Sequence, residues 1–139
     1  ENSAEGHLVI YEFDEKDNNF KPHKILHDEP LTDASLETCF NSFHIFTTKL
    51  PIQNGNQLFI YQSEKWDGEY HPIQVMEFPS NTSRNAGSLF MLNGKIIRPA
   101  QDCNGAYGKG LVFYEVSYTD GVFEMKELKR MYPQHTIYD

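Results

Sequence analysis

Apolar positions along the chain come in short runs that return at a near-fixed spacing. Leu8-Val9-Ile10-Tyr11-Glu12 recurs as Leu58-Phe59-Ile60-Tyr61-Gln62 and again as Leu111-Val112-Phe113-Tyr114-Glu115, at offsets of 50 and then 53 residues. Each run leads to a turn signal (Asp17-Asn18, Asp67-Gly68, Asp120-Gly121), and each turn is followed by an aromatic residue, Phe20, Tyr70 or Phe123. The runs are rich in β-branched and aromatic side chains and show no helical period, so every copy reads as a β-hairpin. Asp-Gly and Asp-Asn pairs tolerate the positive φ angles that tight connections require.

A second kind of hairpin lies between the copies. Residues 86–92 and 95–100 flank Asn93-Gly94, a strong hairpin signal, and the upstream counterpart is 33–37, a short turn, then 43–48. Pro51, Pro72, Pro79 and Pro99 fall at connections or strand ends, where a missing N–H is tolerable. Inner plus outer hairpin makes a four-stranded antiparallel meander, and such a unit repeating about every fifty residues is the pattern of a propeller blade. The expected fold class is all-β, a partial β-propeller forming one domain over 1–139: the outer hairpin of one blade at 7–28, complete blades at 33–78 and 83–128, and the start of the next blade at 131–139. A sandwich or open barrel of short strands is the rival architecture. Propellers close with roughly four to eight blades, so these pieces are expected to need the remainder of a ring or a second copy, and their uncovered faces predict self-association.

The formal net charge of −8, without any Lys/Arg cluster, excludes a nucleic-acid partner. An acidic surface suits a neutral or cationic ligand and serves solubility equally well. No apolar run is long enough to span a bilayer, so membrane insertion is not expected. Cys39 and Cys103 define neither a disulfide scaffold nor a zinc site; reduced thiols favour a reducing compartment, and a cytoplasmic location is the expectation, with an extracytoplasmic or Golgi lumenal one left open. No His/Cys/Asp group has metal-ligand spacing. Gly105, Gly108 and Gly110 precede a strand rather than a helix, so no phosphate-cradling loop is read there, and neither metal nor cofactor is expected. Asn81-Thr82-Ser83 has the form of a glycosylation acceptor and reads as a surface loop.

The stretch Ser83-Arg84-Asn85-Ala86-Gly87, then Asn93-Gly94-Lys95, then Arg98-Pro99-Ala100-Gln101-Asp102-Cys103, then Tyr107-Gly108 resembles a known family. It is similar to the propeller domain at the N-terminus of plant glucosamine inositolphosphorylceramide transferases and of related bacterial proteins, some of which carry a formyltransferase-like domain on the same chain. The likeness extends upstream to Asp33-Ala34-Ser35-Leu36, where the family has Asp-Pro-Thr-Leu, and downstream to His135-Thr136, covering most of residues 8–138. It implies a five-bladed propeller like that of inverting glycosidases and fructosyltransferases, with this chain running from late in the second blade through the third and fourth. The first-blade Asp-Pro motif, which supplies the general base in propeller glycosidases, has no counterpart here.

On that frame Asp33, Arg84 and His135 stand just before or within inner strands, whose polar ends meet at one channel mouth, and Gln101 and Asp102 follow the next strand into the same area. Asp33 suits a general base, an acceptor for sugar hydroxyls, or a tie for its own turn. Asp33 and Asp102 are the nominated catalytic pair, because glycoside cleavage needs two carboxyl groups flanking the scissile bond. Arg84, Gln101 and His135 are the nominated ligand-binding residues: Arg84 offers a planar donor fork, and His135 titrates near neutral pH. Arg98 reads as a structural pair, Tyr11, Tyr61 and Tyr114 as packing between blades, and Trp66 as a lid on the local core or a platform for a sugar face. The leading expectation is a segment that handles a carbohydrate or sugar nucleotide within a larger glycan-assembly protein and is non-catalytic by itself. A glycoside hydrolase or glycosyltransferase, and a structural interaction module, stay open beside it.

Overall fold

Ten strands and no helix make up the regular structure of the computed structural model, which describes residues 6–133. In chain order they are β1 (Leu8–Asp14), β2 (Asn19–His27), β3 (Leu31–Glu37), β4 (Phe43–Lys49), β5 (Gln57–Ser63), β6 (His71–Glu77), β7 (Phe90–Leu92), β8 (Lys95–Asp102), β9 (Gly110–Thr119) and β10 (Val122–Met131). All pairings are antiparallel between sequence neighbours: a β1–β2 hairpin, a four-stranded meander β3-β4-β5-β6 and a second meander β7-β8-β9-β10. The chain is all-β.

Alternation along each strand decides how the sheets meet. From the β3–β6 sheet, Phe46, Leu58 and Ile60 join Val112, Tyr114, Val116 and Phe123 of the following sheet in one core. Ile45 and Tyr61, one residue along from Phe46 and Ile60, point the other way and close a second core with Leu8 and Leu26 of the hairpin. The central strands β4 and β5 are therefore covered on both faces, and burial runs almost without alternation along them for that reason.

The recurring run keeps its meaning in three dimensions. Tyr61 and Tyr114 both turn toward the preceding sheet, and each buried ring delivers its hydroxyl to a residue just ahead of a sheet's first strand. Tyr61 donates to Glu29 Oε2 at 2.6 Å, and the Tyr114 hydroxyl meets Thr82 Oγ1 at 2.6 Å. Glu29 also accepts from Lys49 at 2.8 Å. Tyr11, in the same place in the hairpin, is exposed.

The two contacting meanders are tied at both edges. At one edge Gln74 of β6 clasps the backbone of Phe123 in both directions, its amide nitrogen donating to the carbonyl and its amide oxygen accepting from the N–H, each at 2.8 Å. At the other, Asn85 Nδ2 donates to the carbonyls of Asp33 at 2.8 Å and Phe46 at 2.7 Å. His44 lies wholly buried among Phe40, Phe46, Tyr118 and Phe123 with neither ring nitrogen bonded among the described residues, and burial holds its pKa below the ordinary histidine value.

Two expectations change in detail. The inner strand read over 86–92 is regular only at β7, with an isolated bridge from Asn85 to Ala100 before it. Gly87 takes φ +142°, and Pro99 opposite has no N–H to give the ladder. The Asp67-Gly68 turn is also not a two-residue hairpin. Asn93-Gly94 and Asp120-Gly121 take positive φ at both residues, whereas the chain between Ser63 and His71 makes a longer loop in which Tyr70 donates to the Trp66 carbonyl at 2.9 Å. Trp66 itself is partly exposed and stacks on His23 with ring centroids 5.5 Å apart.

Candidate functional site

The site is built at the edge where β3 faces the segment leading into β7. Asp33 sits in a bulge: the β3–β4 register shifts between Thr32 and Ser35, and Asp33 has φ +49°. Asp tolerates that left-handed conformation better than most residues, and a bulge re-aims the side chain it carries. Where the ladder is interrupted, the hydroxyls of Thr47 and Thr48 donate to the Thr32 carbonyl at 3.0 and 3.2 Å, which holds the bulge in place.

Asp33 Oδ2 accepts from Arg84 Nε, and Arg84 Nη1 donates to Asn54 Oδ1 at 2.7 Å. The guanidinium carbon lies 4.8 Å from the ring centroid of Tyr107, whose side is open to solvent. Behind the pair, the Gln101 N–H donates to the Arg84 carbonyl at 2.8 Å, and Gln101 Nε2 donates to the Asn85 carbonyl at 2.9 Å. Asn85 closes the loop through its bond to the Asp33 carbonyl. Asp33, Arg84 and Gln101 are thus brought together, with two adjoining open clefts beside them that share Ala86 and Gln101.

Beneath the cluster Arg98 is fully buried in β8. Its Nε donates to Asn85 Oδ1 at 2.9 Å, its Nη2 to the Ser83 carbonyl, and its Nη1 has no partner among the described residues. The structural pair expected of Arg98 is thus made with an amide and a carbonyl rather than with a carboxylate. Burial pulls the guanidinium down to about 9, against the opposing pull of Tyr114.

Asp102 goes elsewhere. Adjacent strand residues point to opposite faces, so Asp102 turns away from the side that Gln101 presents. Its carboxylate is 1% exposed and accepts from the Asn104 N–H at 2.9 Å, Asn104 Nδ2 at 2.6 Å, Tyr132 at 2.7 Å and Arg130 at 3.2 Å. Burial alone would raise its pKa, but these donors outweigh it and hold the carboxyl at about 2. Gly110 makes room for the arrangement: a Cβ there would lie 2.6 Å from both the Met131 carbonyl and the ring of Tyr132. His135, the third nominated ligand-binding residue, lies outside the described residues.

Three members of the cluster were not nominated from sequence. Asn85 and Tyr107 stood inside the motif run, and their identity beside Arg84 and Gly108 was the only available signal. Asn54, in a polar loop, gave none. Glu37, farther along β3, is buried with its pKa raised by that burial; its Oε1 accepts from Ser35 and from the Leu89 N–H at 2.9 Å, adding a strut between the sheets.

Stacked antiparallel sheets with a polar cluster where their first strands meet define an all-β domain with an open cleft at one edge. The chain belongs to the family described as "Glucosamine inositolphosphorylceramide transferase 1, N-terminal", whose model matches residues 1–133. Two curated relatives, both named "Glucosamine inositolphosphorylceramide transferase 1" and from Oryza sativa subsp. japonica and Oryza sativa subsp. indica, are each 33% identical over 101 residues. Each match covers 67% of this chain and 13% of the relative, so the chain spans a small part of those proteins.

Proposed function

We propose that this chain is a segment of a five-bladed propeller that handles a carbohydrate or sugar nucleotide within a larger glycan-assembly protein, and that it binds rather than reacts. The observation that carries the reading is the Asp33–Arg84 pair, set by a bulge beside an open cleft with Gln101 at its border. Membership of a family named for a glycosyltransferase N-terminus supports the sugar chemistry. Binding without catalysis fits Asp102: a carboxyl held at about 2 and surrounded by four donors is a fixed anion with no proton to give near neutral pH. The ring fits the stacking of the sheets. Leu58 and Ile60 bury against the sheet that follows theirs, while Leu111, at the matching place in β9, is exposed together with Phe90, Leu92, Leu128 and Met131. That face has the chemistry to receive another sheet of the same kind.

The test is titration of the full chain with glucosamine, N-acetylglucosamine and UDP-N-acetylglucosamine, followed by amide and side-chain chemical shifts. Perturbation centred on Arg84 and Gln101 is expected with at least one of the three, weakened about tenfold or more in Asp33→Ala. Shifts confined to other surfaces, or none at all, would remove the reading.

A further inference from the structure

We infer that the cleft recognises an uncharged sugar ring, with Tyr107 as its stacking platform, and not the phosphate groups of a sugar nucleotide. This rests on the proposed carbohydrate function and narrows its ligand.

The first argument is the balance of donors and acceptors. Arg84 would be the obvious phosphate ligand, because its fork matches two oxygens at once. That fork is already partly engaged: Nε goes to Asp33, one N–H of Nη1 goes to Asn54, and Tyr107 lies over the plane. With Nε on Asp33 and one Nη1 N–H on Asn54, the donors left to Arg84 are the second N–H of Nη1 and those of Nη2, beside a carboxylate that already neutralises the guanidinium charge. Beside it stand two acceptors with spare capacity. Asp33 uses Oδ2 for Arg84 and leaves Oδ1, while Gln101 uses its Nε2 for the Asn85 carbonyl and so presents Oε1. The diester phosphate oxygens of a sugar nucleotide accept and do not donate at neutral pH, so they meet these two oxygens without a proton to share. A sugar hydroxyl both donates and accepts, and vicinal hydroxyls can give to Asp33 Oδ1 or Gln101 Oε1 while receiving from Arg84 Nη2.

The second argument is charge. Asp33 cancels Arg84, no Lys or Arg among the described residues lines either cleft, Lys109 being 5.7 Å from the Tyr132 ring, and the chain carries a net charge of −8. An anion gains little from such a field. The third is shape. Tyr107 is 64% exposed, with the guanidinium against its ring, and it lines the same cleft as Gln101. An exposed ring fixed by a cation is a flat apolar surface ready for the C–H face of a pyranose, and the adjoining polar atoms then set the ring's orientation.

The experiment titrates the full chain separately with N-acetylglucosamine and with inorganic pyrophosphate, reading the Gln101 side-chain amide, Arg84 Nε and the Tyr107 ring by NMR. The saccharide is expected to shift all three, and pyrophosphate none of them. Tyr107→Ala is expected to weaken saccharide binding about tenfold, with Tyr107→Phe staying within about twofold of the native chain, since stacking is worth roughly one power of ten in affinity. Tyr107 packs on the surface, so neither variant touches a sheet core. Pyrophosphate binding at Arg84 would overturn this inference and leave the broader carbohydrate or sugar-nucleotide reading standing. Saccharide binding that Tyr107→Ala does not weaken would overturn the platform alone. Silence of both ligands at the cleft would overturn the inference and the reading beneath it.

Discussion

Asn85→Ala is expected to destabilise the chain by about 3–5 kcal/mol, a large part of the stability of a domain this size. One side-chain amide here serves three buried groups at once: it donates to the carbonyls of Asp33 and Phe46 and accepts from Arg98 Nε. The alanine variant removes a donor from two carbonyls and strips a fully buried guanidinium of a principal partner. Hydrogen bonds to charged groups are worth about 1.5–3 kcal/mol, and each orphaned neutral group adds about 1 kcal/mol or more. Arg98 would keep the Ser83 carbonyl and a distant contact with the Phe78 ring at 5.5 Å, too little to hold a buried charge. Urea denaturation of the two proteins measures the difference. A loss under about 1 kcal/mol would mean that the β3–β8 junction is hydrated rather than sealed.

Asp102→Asn is expected to cost about 2 kcal/mol near neutral pH and to flatten the acid limb of the stability profile. The folded pKa of about 2 lies below the carboxyl's ordinary value, so the unfolded chain takes up the proton first as the pH falls. The stabilisation is therefore fully present above about pH 4 and fades as the pH drops toward 2. Neutral asparagine does not titrate, and its amide turns at least one N–H toward the donors of Asn104, Tyr132 or Arg130. The difference between the two proteins isolates Asp102 from other acidic groups shifted the same way, such as Glu29 and Glu127. Equal pH profiles for the two would show that the carboxylate is not held as described.

The spacing of apolar runs and the turn chemistry made the sheets legible. Leu58-Phe59-Ile60-Tyr61 buries both faces because a sheet lies on each side, and a run without alternation is how such a strand reads. Asn93-Gly94 and Asp120-Gly121 announced their turns, since few other pairs accept positive φ twice in succession. Asp67-Gly68 misled: the same dipeptide stands in a seven-residue loop whose form is set by Tyr70 reaching the Trp66 carbonyl, a contact no local pattern encodes.

The site was legible in part and for a definite reason. Asp33 and Arg84 could be brought together because equivalent places in a repeat converge when sheets stack. The role of Asn85 carries no signal in the sequence because it depends on carbonyls of Asp33 and Phe46 that become its neighbours only after the sheets dock. Adjacency in sequence sets Asp102 beside Gln101, yet adjacency along a strand sends two side chains to opposite faces. The bulge that turns Asp33 into the cleft has no signature in Asp33-Ala34-Ser35-Leu36; it arises from the mismatch with β4.

Amide hydrogen exchange resolved by residue tests the stacking most directly. With β3–β6 buried between the hairpin and the last meander, the slowest amides are expected in β4 and β5, ahead of β8 and β9, with β1 and β2 the fastest. Protection in β1–β2 equal to that in β4–β5, or a maximum in β8–β9, would contradict the sandwiched arrangement and the cleft built upon it.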